Sequence, residues 1–294
     1  MAVLLKEAAP VDHEPMNSPT LEPLVPPFDV VTYAGPITIE GYERLSALLR
    51  ERRSNDKVLL VLETPGGDPH AAFRIARALG FHYERVEAFV PRYCKSAGTL
   101  IVLGASILHM DDLAELGPLD MQVPRVNEAA RHGSALEFGG ALDLLWTRQL
   151  QSHAESMREI VGQGLSPDGA AIAAANLVSG AFQPILTQIN PMKLTAMSRA
   201  MTIAIAYGER LAAKGGNIAS ASVWDLVYSY PSHAFVIDRK EAQRLFLDVR
   251  APQGAVAEIA QWCRVTRAER AEITTPLINV HPFSLLNSEA FHAQ

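Results

Sequence analysis

VLLVLETPGG, residues 58–67, joins an apolar run of strand type to a proline-glycine turn. Further along, VEAFVPRYCKSAGT, residues 86–99, joins a second apolar run to a turn that carries Ser96. Each turn opens a stretch with helical spacing of apolar residues. Two neighbouring strand–turn–helix units predict an α/β fold with a mainly parallel sheet, in which both turns lie at the carboxyl ends of the strands.

The two turns carry the parts that acyl transfer requires. Gly66 and Gly67 have no Cβ, so they can adopt conformations closed to other residues and let a ligand approach the backbone. Ser96 stands at the start of a predicted helix, where unpaired N–H groups favour negative charge. An oxyanion could rest between the Ala97 N–H and the N–H of Gly66 or Gly67. The pattern favours a serine nucleophile, although a serine before a helix is commonly only an N-cap.

The apolar periodicity divides the chain into three parts. Residues 1–27 are rich in proline and are predicted to form an extended or disordered arm. Residues 28–250 contain the alternating strands and helices, with an added helical section at 136–214. Residues 251–294 are predicted to form a partly helical tail. The predicted strands are 28–33, 57–62, 85–90 and 106–110, and the predicted helices are 39–52, 70–79, 96–103, 136–161, 169–178, 192–214, 220–228, 239–246 and 255–263.

Four motifs occur in order: TPGG (64–67), KSAGT (95–99), ELGPLD (115–120) and YPSHAF (230–235). Together they resemble the serine dehydrogenase proteinase family of the Clp-protease/crotonase superfamily, which also contains signal peptide peptidase A. The resemblance implies a Clp-protease/crotonase-like core of repeated ββα type. It also implies that Ser96 is the nucleophile and that Gly67 and Ala97 form the oxyanion hole. The resemblance covers about residues 28–250 and implies that they form the catalytic domain, which acts on a peptide or protein substrate. A homo-oligomer is expected from the resemblance and from the apolar helical section. No cofactor is expected, because nothing in the sequence resembles a cofactor site.

The general base is not assigned by these motifs. Clp proteases carry a histidine just before a proline, and this chain has Leu116-Gly117-Pro118 in the corresponding stretch. Signal peptide peptidase A uses a lysine, and residues 122–192 of this chain contain none. His233 is the leading candidate, because the residues after it resemble the last strand and helix of Clp-type proteases; the alternative is a structural histidine in a turn.

Four further side chains could serve or border the same site. Lys193 opens a predicted helix and is a second candidate for the base. Lys95 is adjacent to the nucleophile and is expected to orient the loop or bind a carboxylate. Asp120 could orient a partner or cap a turn. His70 could border the cleft, although it is also typical of a surface residue.

Composition narrows the function further. The 294 residues carry a formal net charge of −6 without a basic cluster in the sequence, which disfavours nucleic-acid binding. Two cysteines are too few for a disulfide framework, so we expect a cytoplasmic protein. No signal peptide and no uninterrupted apolar run long enough to span a membrane are apparent, so no transmembrane segment is expected. No metal-binding spacing occurs.

Three functions therefore compete. The first is a soluble serine peptidase that works through a Ser96 acyl-enzyme. The second is a catalytically inactive oligomeric scaffold of the same fold, which the unassigned base favours. The third is a crotonase-like acyl-CoA enzyme, disfavoured because the sequence offers no basic rim for nucleotide phosphates.

Overall fold

Strands and helices alternate through the first part of the computed structural model, which describes residues 21–119, 122–124, 132–266 and 275–285. The strands are β1 (Asp29–Ala34), β2 (Lys57–Glu63), β3 (Arg85–Val90), β4 (Tyr93–Cys94), β5 (Ile107–Met110), β6 (Glu115–Leu116), β7 (Gln122–Pro124), β8 (His132–Ser134), β9 (Val249–Arg250) and β10 (Leu277–Pro282). The helices are α1 (Ile39–Arg52), α2 (Pro69–His82), α3 (Ala97–Val102), α4 (Ala135–Gly162), α5 (Pro167–Leu186), α6 (Pro191–Gly215), α7 (Ser220–Tyr228), α8 (Arg239–Leu245) and α9 (Ala255–Thr266). A 3-10 turn follows at Phe283–Leu285.

The main sheet has the strand order β10-β1-β2-β3-β5-β9. β10 is antiparallel to β1, and every other neighbouring pair is parallel. The predicted α/β class with a mainly parallel sheet and an added helical section is therefore confirmed. Because the strands are parallel, the turns after β2 and β3 lie at the same edge of the sheet, as the sequence predicts.

Two hydrophobic cores cover the two faces of the sheet. Alternate residues of β2 divide between them: Val58, Leu60 and Leu62 face the larger core, whereas Leu59 and Val61 face the smaller one. Helices α1, α2, α3, α6 and α7 complete the larger core. α9 and the segment before β1 complete the smaller core, where Leu24 and Phe28 are buried. Within the predicted arm, Leu24 therefore anchors residues 21–27 to the sheet while its neighbours are exposed, and residues 1–20 lie outside the described residues.

The helical section exposes much apolar surface. α5 buries only Ala170, Ala174 and Val178, and it leaves Ile172 and Leu177 exposed. Within the described residues, α5 is the one helix that is long and apolar enough to cross a membrane, judged by length and composition alone. The absence of a transmembrane segment was predicted because the sequence has no long uninterrupted apolar run. It stays a prediction.

A buried carboxylate connects β1 to neighbouring loops at the edge of the sheet opposite the two turns. Asp29, the first residue of β1, accepts hydrogen bonds from the backbone N–H and the hydroxyl of Ser54 at 2.9 and 2.7 Å. It also accepts bonds from the backbone N–H and the side-chain amide of Asn55 and from the Tyr83 hydroxyl. Burial opposes the ionised form, but the donors of Ser54 and Asn55 outweigh it and hold the pKa of Asp29 below its ordinary value.

This carboxylate predicts a pH-dependent stability. Because the folded-state pKa lies below the unfolded value of about 3.9, the contribution is present above that pH and is lost as the pH falls through the folded pKa. Asp29→Asn should lower the free energy of unfolding by about 2–3 kcal/mol at neutral pH, since several donors lose a charged acceptor. Urea denaturation at neutral and acidic pH measures both effects.

Tyr83→Phe is the matched control, because it removes one donor and keeps the carboxylate. Its effect should be smaller, about 1 kcal/mol. If Asp29→Asn lowers the free energy of unfolding as much at a pH below the folded-state pKa of Asp29 as it does at neutral pH, the interpretation is wrong.

Candidate active site

The turn after β2 is built around Thr64. Its hydroxyl oxygen accepts a hydrogen bond from the Gly66 N–H at 3.0 Å. The Gly66 carbonyl accepts a bond from the Ile37 N–H at 2.8 Å, and the Ile37 carbonyl accepts one from Asp68 N–H at 2.8 Å. Gly66 and Gly67 have φ angles of +103° and +145°, which L side chains rarely adopt. The turn is thus held from inside by Thr64 and from outside by the loop after β1.

These bonds distinguish the two glycine donors. The Gly66 N–H is already engaged by Thr64. Within the described residues, neither the Gly67 N–H nor the Ala97 N–H donates to a protein acceptor. An oxyanion hole is commonly formed by two unpaired backbone N–H donors. The geometry therefore favours Gly67 over Gly66 as a donor, while the assignment itself stays a prediction.

Ser96 occupies a strained position between β4 and α3. Its φ of 50° and ψ of −114° make it the one non-glycine residue with positive φ among those described. Such a conformation costs about 1–3 kcal/mol. Although Ser96 stands at the N-cap position, its side chain makes no capping hydrogen bond. The alternative that Ser96 is only a helix cap therefore has no support in its contacts.

The two turns are in direct contact. The Thr64 N–H donates to the Tyr93 carbonyl and the Lys95 N–H donates to the Thr64 carbonyl, both at 3.0 Å. A Cβ placed on Gly66 would lie 3.1 Å from Ser96 Cβ and 3.6 Å from Ala97 N. The glycine turn, the serine and the Ala97 donor therefore lie side by side, as the sequence predicts.

Buried contacts of Thr99 and Gly98 hold the serine turn in place. The Thr99 hydroxyl lies 2.7 Å from the Gly117 carbonyl oxygen and 3.1 Å from that of Cys94. Gly98 fits closely, since a Cβ there would lie 2.4 Å from Thr64 Cγ2. Thr64, Thr99 and Gly98 belong to the motifs that carry the resemblance, but no role for them was predictable from the sequence.

Lys95 is bound at the base of the turn. Its Nζ lies 3.0 Å from Glu115 Oε1 and donates to the Leu116 carbonyl at 3.2 Å. Its stem fills the space beside Gly117, where an added Cβ would lie 2.8 Å from Lys95 Cδ. Gly117 directly precedes Pro118, and the Lys95 stem occupies the space that a side chain at position 117 would need.

The remaining candidates are not brought to Ser96 by any described contact. Among the residues whose side chains are described, none hydrogen-bonds to the Ser96 hydroxyl. His233 lies in the loop before Ile237, which pairs with Leu116, and it has an interaction of its own. Lys193 belongs to α6, and its side chain lies outside the described part, as does Asp120.

Other nucleophiles and metals receive little support. Burial raises the pKa of the Cys94 thiol, and the nearby Lys95 charge offsets this only in part. Cys94 is therefore a protonated packing residue, not a competing thiolate. Within the described ranges, no group of three His, Cys, Asp or Glu side chains could hold a metal ion.

The serine turn and the glycine turn both lie in a segment that resembles a known family of proteins. Residues 29–135 match the family described as ClpP-like SDH-type serine proteinase. The resemblance inferred from the four motifs is therefore confirmed for this segment. At the level of the family, the matched proteins are serine proteinases.

Individual relatives match shorter parts. Two uncharacterized proteins of Methanocaldococcus jannaschii are 41% and 37% identical over 87 residues. Each match covers 30% of this chain and spans only 30% of the relative's length.

Among solved structures, the 1510-N membrane-bound stomatin-specific protease is 15% identical, with a TM-score of 0.45. Two mutant structures of that protease each align with 76% of this chain. The alignment covers 78% of the serine mutant and 74% of the lysine mutant, which is in complex with a substrate peptide. A ClpP1 mutant of Listeria monocytogenes is 22% identical, with a TM-score of 0.26 over 30% of this chain and 53% of that chain.

Proposed function

We propose that this protein is a serine peptidase that cleaves peptide bonds through a Ser96 acyl-enzyme. The observation that carries the proposal is the strained Ser96, whose hydroxyl is not used as a cap, beside the unpaired N–H groups of Gly67 and Ala97. Strain of this kind clusters at functional sites, because a fold otherwise selects against it. The family match over residues 29–135 supports the same reaction class.

The proposed reaction has two acyl transfers. Ser96 Oγ attacks the scissile carbonyl carbon while a base takes its proton, and the carbonyl oxygen becomes an oxyanion that the Gly67 and Ala97 N–H groups stabilise. The C–N bond then breaks, and the amine leaves with that proton. Water attacks the remaining ester in the same way, which releases the acid and restores the hydroxyl. Each backbone donor contributes about 2.7–4 kcal/mol to the transition state.

The base is proposed from three side chains. His233 comes first, because a histidine is the commonest general base at neutral pH. Lys193 comes second, since a desolvated lysine can serve a serine. Lys95 comes last, because Glu115 and the Leu116 carbonyl hold its ammonium group. The missing contact between Ser96 and a base in the free protein does not exclude any of the three, since catalytic hydrogen bonds often tighten only in the complex.

An inactive scaffold is the second candidate. The observation that favours it is that no described base contacts Ser96. A crotonase-like acyl-CoA enzyme is the third candidate. That function does not explain why a strained serine stands at this position. The homo-oligomer remains a prediction, consistent with the exposed apolar residues of α4 and α5.

Fluorophosphonate labelling, read by intact mass, tests the proposal. Native protein should gain one adduct, because the probe reacts with activated serines, and Ser96→Ala should gain none. Three variants are labelled in parallel: His233→Ala, Lys193→Ala and Lys95→Ala. One of them should be labelled about 100-fold more slowly or worse, and that variant identifies the base. Native, folded protein that takes no adduct would favour the scaffold.

A further inference from the structure

A line of cations runs between α2 and α6, and α2 begins two residues after Gly67. We call Arg77, Arg210 and Lys214, with the aromatic pair Phe73 and Tyr207, the basic seam. The Phe73 and Tyr207 rings stack with centroids 4.1 Å apart and planes 8° apart. Lys214 packs at the far end, where its Cε lies 3.3 Å from the Cβ position of Gly80. The contacts follow the two helices in the same order, so the seam runs along both axes.

The charge of these helices differs from that of the whole chain. α2 and α6 together hold six lysine or arginine residues and one carboxylate, Glu209, whereas the chain carries −6 overall. Glu209 accepts a hydrogen bond from Trp224 Nε1 at 3.2 Å. None of the three seam cations forms an ion pair with a described carboxylate, whereas Arg85, Arg239, Arg250 and Arg264 each do. A cluster of exposed, unpaired cations is an attractive surface for an anion.

The aromatic pair orients two of the cations. Arg210 Cζ lies 4.5 Å from the Phe73 ring centroid, and Arg77 Cζ lies 5.7 Å from it. Phe73 is 5% exposed, so its position is fixed by the core. Stacking on a ring limits the freedom of a guanidinium and leaves its N–H edge available for a carboxylate. The seam is therefore pre-organised for planar, bidentate recognition.

The seam lies along α2, the helix that leads away from the proposed oxyanion hole. His70, whose Nδ1 lies 3.0 Å from the Tyr207 hydroxyl oxygen, is three residues after Gly67 and at most about 11 Å from it. Arg77 lies seven residues further along α2, which adds about 10 Å. An extended peptide rises about 3.3 Å per residue. A peptide held at Gly67 would therefore reach the seam about three to six residues from its scissile bond.

We propose that the basic seam binds an acidic segment of the peptide whose scissile bond lies at Ser96. The inference rests on the proposed peptidase function and names its substrate class: peptides with Asp or Glu residues about three to six positions from the cleaved bond. An anionic membrane surface is the competing ligand. The peptide is favoured because the seam forms one line that leads to the glycine turn, where a peptide carbonyl would lie.

Paired quenched peptides test the proposal. One peptide of each pair carries three glutamates at the seam distance on one side of the cleavage site, and the other carries glutamines; a second pair places them on the other side. For native protein, one glutamate peptide should have a kcat/KM about 10-fold above its glutamine partner at low salt. The advantage should vanish in the double variant Arg77→Glu, Arg210→Glu and at about 0.5 M salt, where surface charges are screened. The control Arg148→Glu, Arg158→Glu on α4 makes the same charge change outside the seam and should retain it.

Binding to Ser96→Ala protein, measured by fluorescence anisotropy, separates the two proposals because it needs no turnover. Glutamate-selective binding without hydrolysis in native protein would overturn the peptidase and retain the seam. Hydrolysis without a glutamate preference would overturn the seam alone. Phosphatidylserine vesicles or coenzyme A that bind the seam, while glutamate peptides do not, would overturn the peptide proposal. A melting temperature close to the native one shows that the double variant is folded.

Discussion

Ser96→Ala is expected to lower the kcat/KM for peptide hydrolysis by about three orders of magnitude or more, because no other group can form the acyl-enzyme. Cys94, two residues earlier, cannot replace it, since its buried thiol stays protonated. Progress curves with a quenched peptide measure the loss. Native-like hydrolysis by purified Ser96→Ala protein would show that the activity comes from elsewhere.

Ser96→Gly is the informative companion. Glycine adopts a φ of 50° and a ψ of −114° at little cost, whereas serine and alanine are strained there. Ser96→Gly should therefore be about 1–3 kcal/mol more stable than Ser96→Ala, although both should be inactive. Chemical denaturation compares them. Equal stabilities would mean that Ser96 stores no backbone strain.

Gly67→Ala is expected to have the second largest effect, a loss of about 100- to 1000-fold in kcat, which is typical when one oxyanion donor is removed. A Cβ at this position would lie 2.2 Å from the Ile37 carbonyl oxygen, so the turn must move. The movement displaces the Gly67 N–H from the oxygen that it is proposed to bind. Steady-state kinetics, with circular dichroism to check folding, measure the effect.

Gly164→Ala is the matched control for backbone strain. Gly164 also has a positive φ, +100°, but no atom lies within 4 Å of its Cβ position. The variant should be destabilised by about 1 kcal/mol and keep its activity. A folded Gly67→Ala protein with native kcat would refute the Gly67 assignment.

The elements of this fold could be predicted from local sequence because their apolar periodicity is strong. The helix at Ile39–Arg52 and the strand at Arg85–Val90 have the predicted bounds. The helix predicted at 169–178 extends over Pro167–Leu186, because Gly180 and Pro184 are tolerated inside an exposed helix. Capping residues such as Asp68, which accepts from the His70 N–H at 2.7 Å, set the starts of helices locally.

The candidate site was only partly predictable. Motifs placed Ser96 and the glycine turn together, because parallel strands bring their carboxyl ends to one edge. They did not show that Thr64 engages the Gly66 N–H, a local bond that leaves Gly67 as the unpaired donor. Nor could they place Lys95 in the space beside Gly117, since that depends on how β4 and β6 pair.

The sequence by itself determined the α/β class, the order of its elements and the serine and glycine turns, because each depends on residues close together in the chain. Only the tertiary structure decided that β10 pairs with β1, that Asp29 gathers Ser54, Asn55 and Tyr83, and that α2 and α6 form the basic seam. The sequence has no basic cluster, because Arg77 and Arg210 are far apart in the chain. Packing of helices across a common core brings them together, and that packing depends on contacts that no local pattern records.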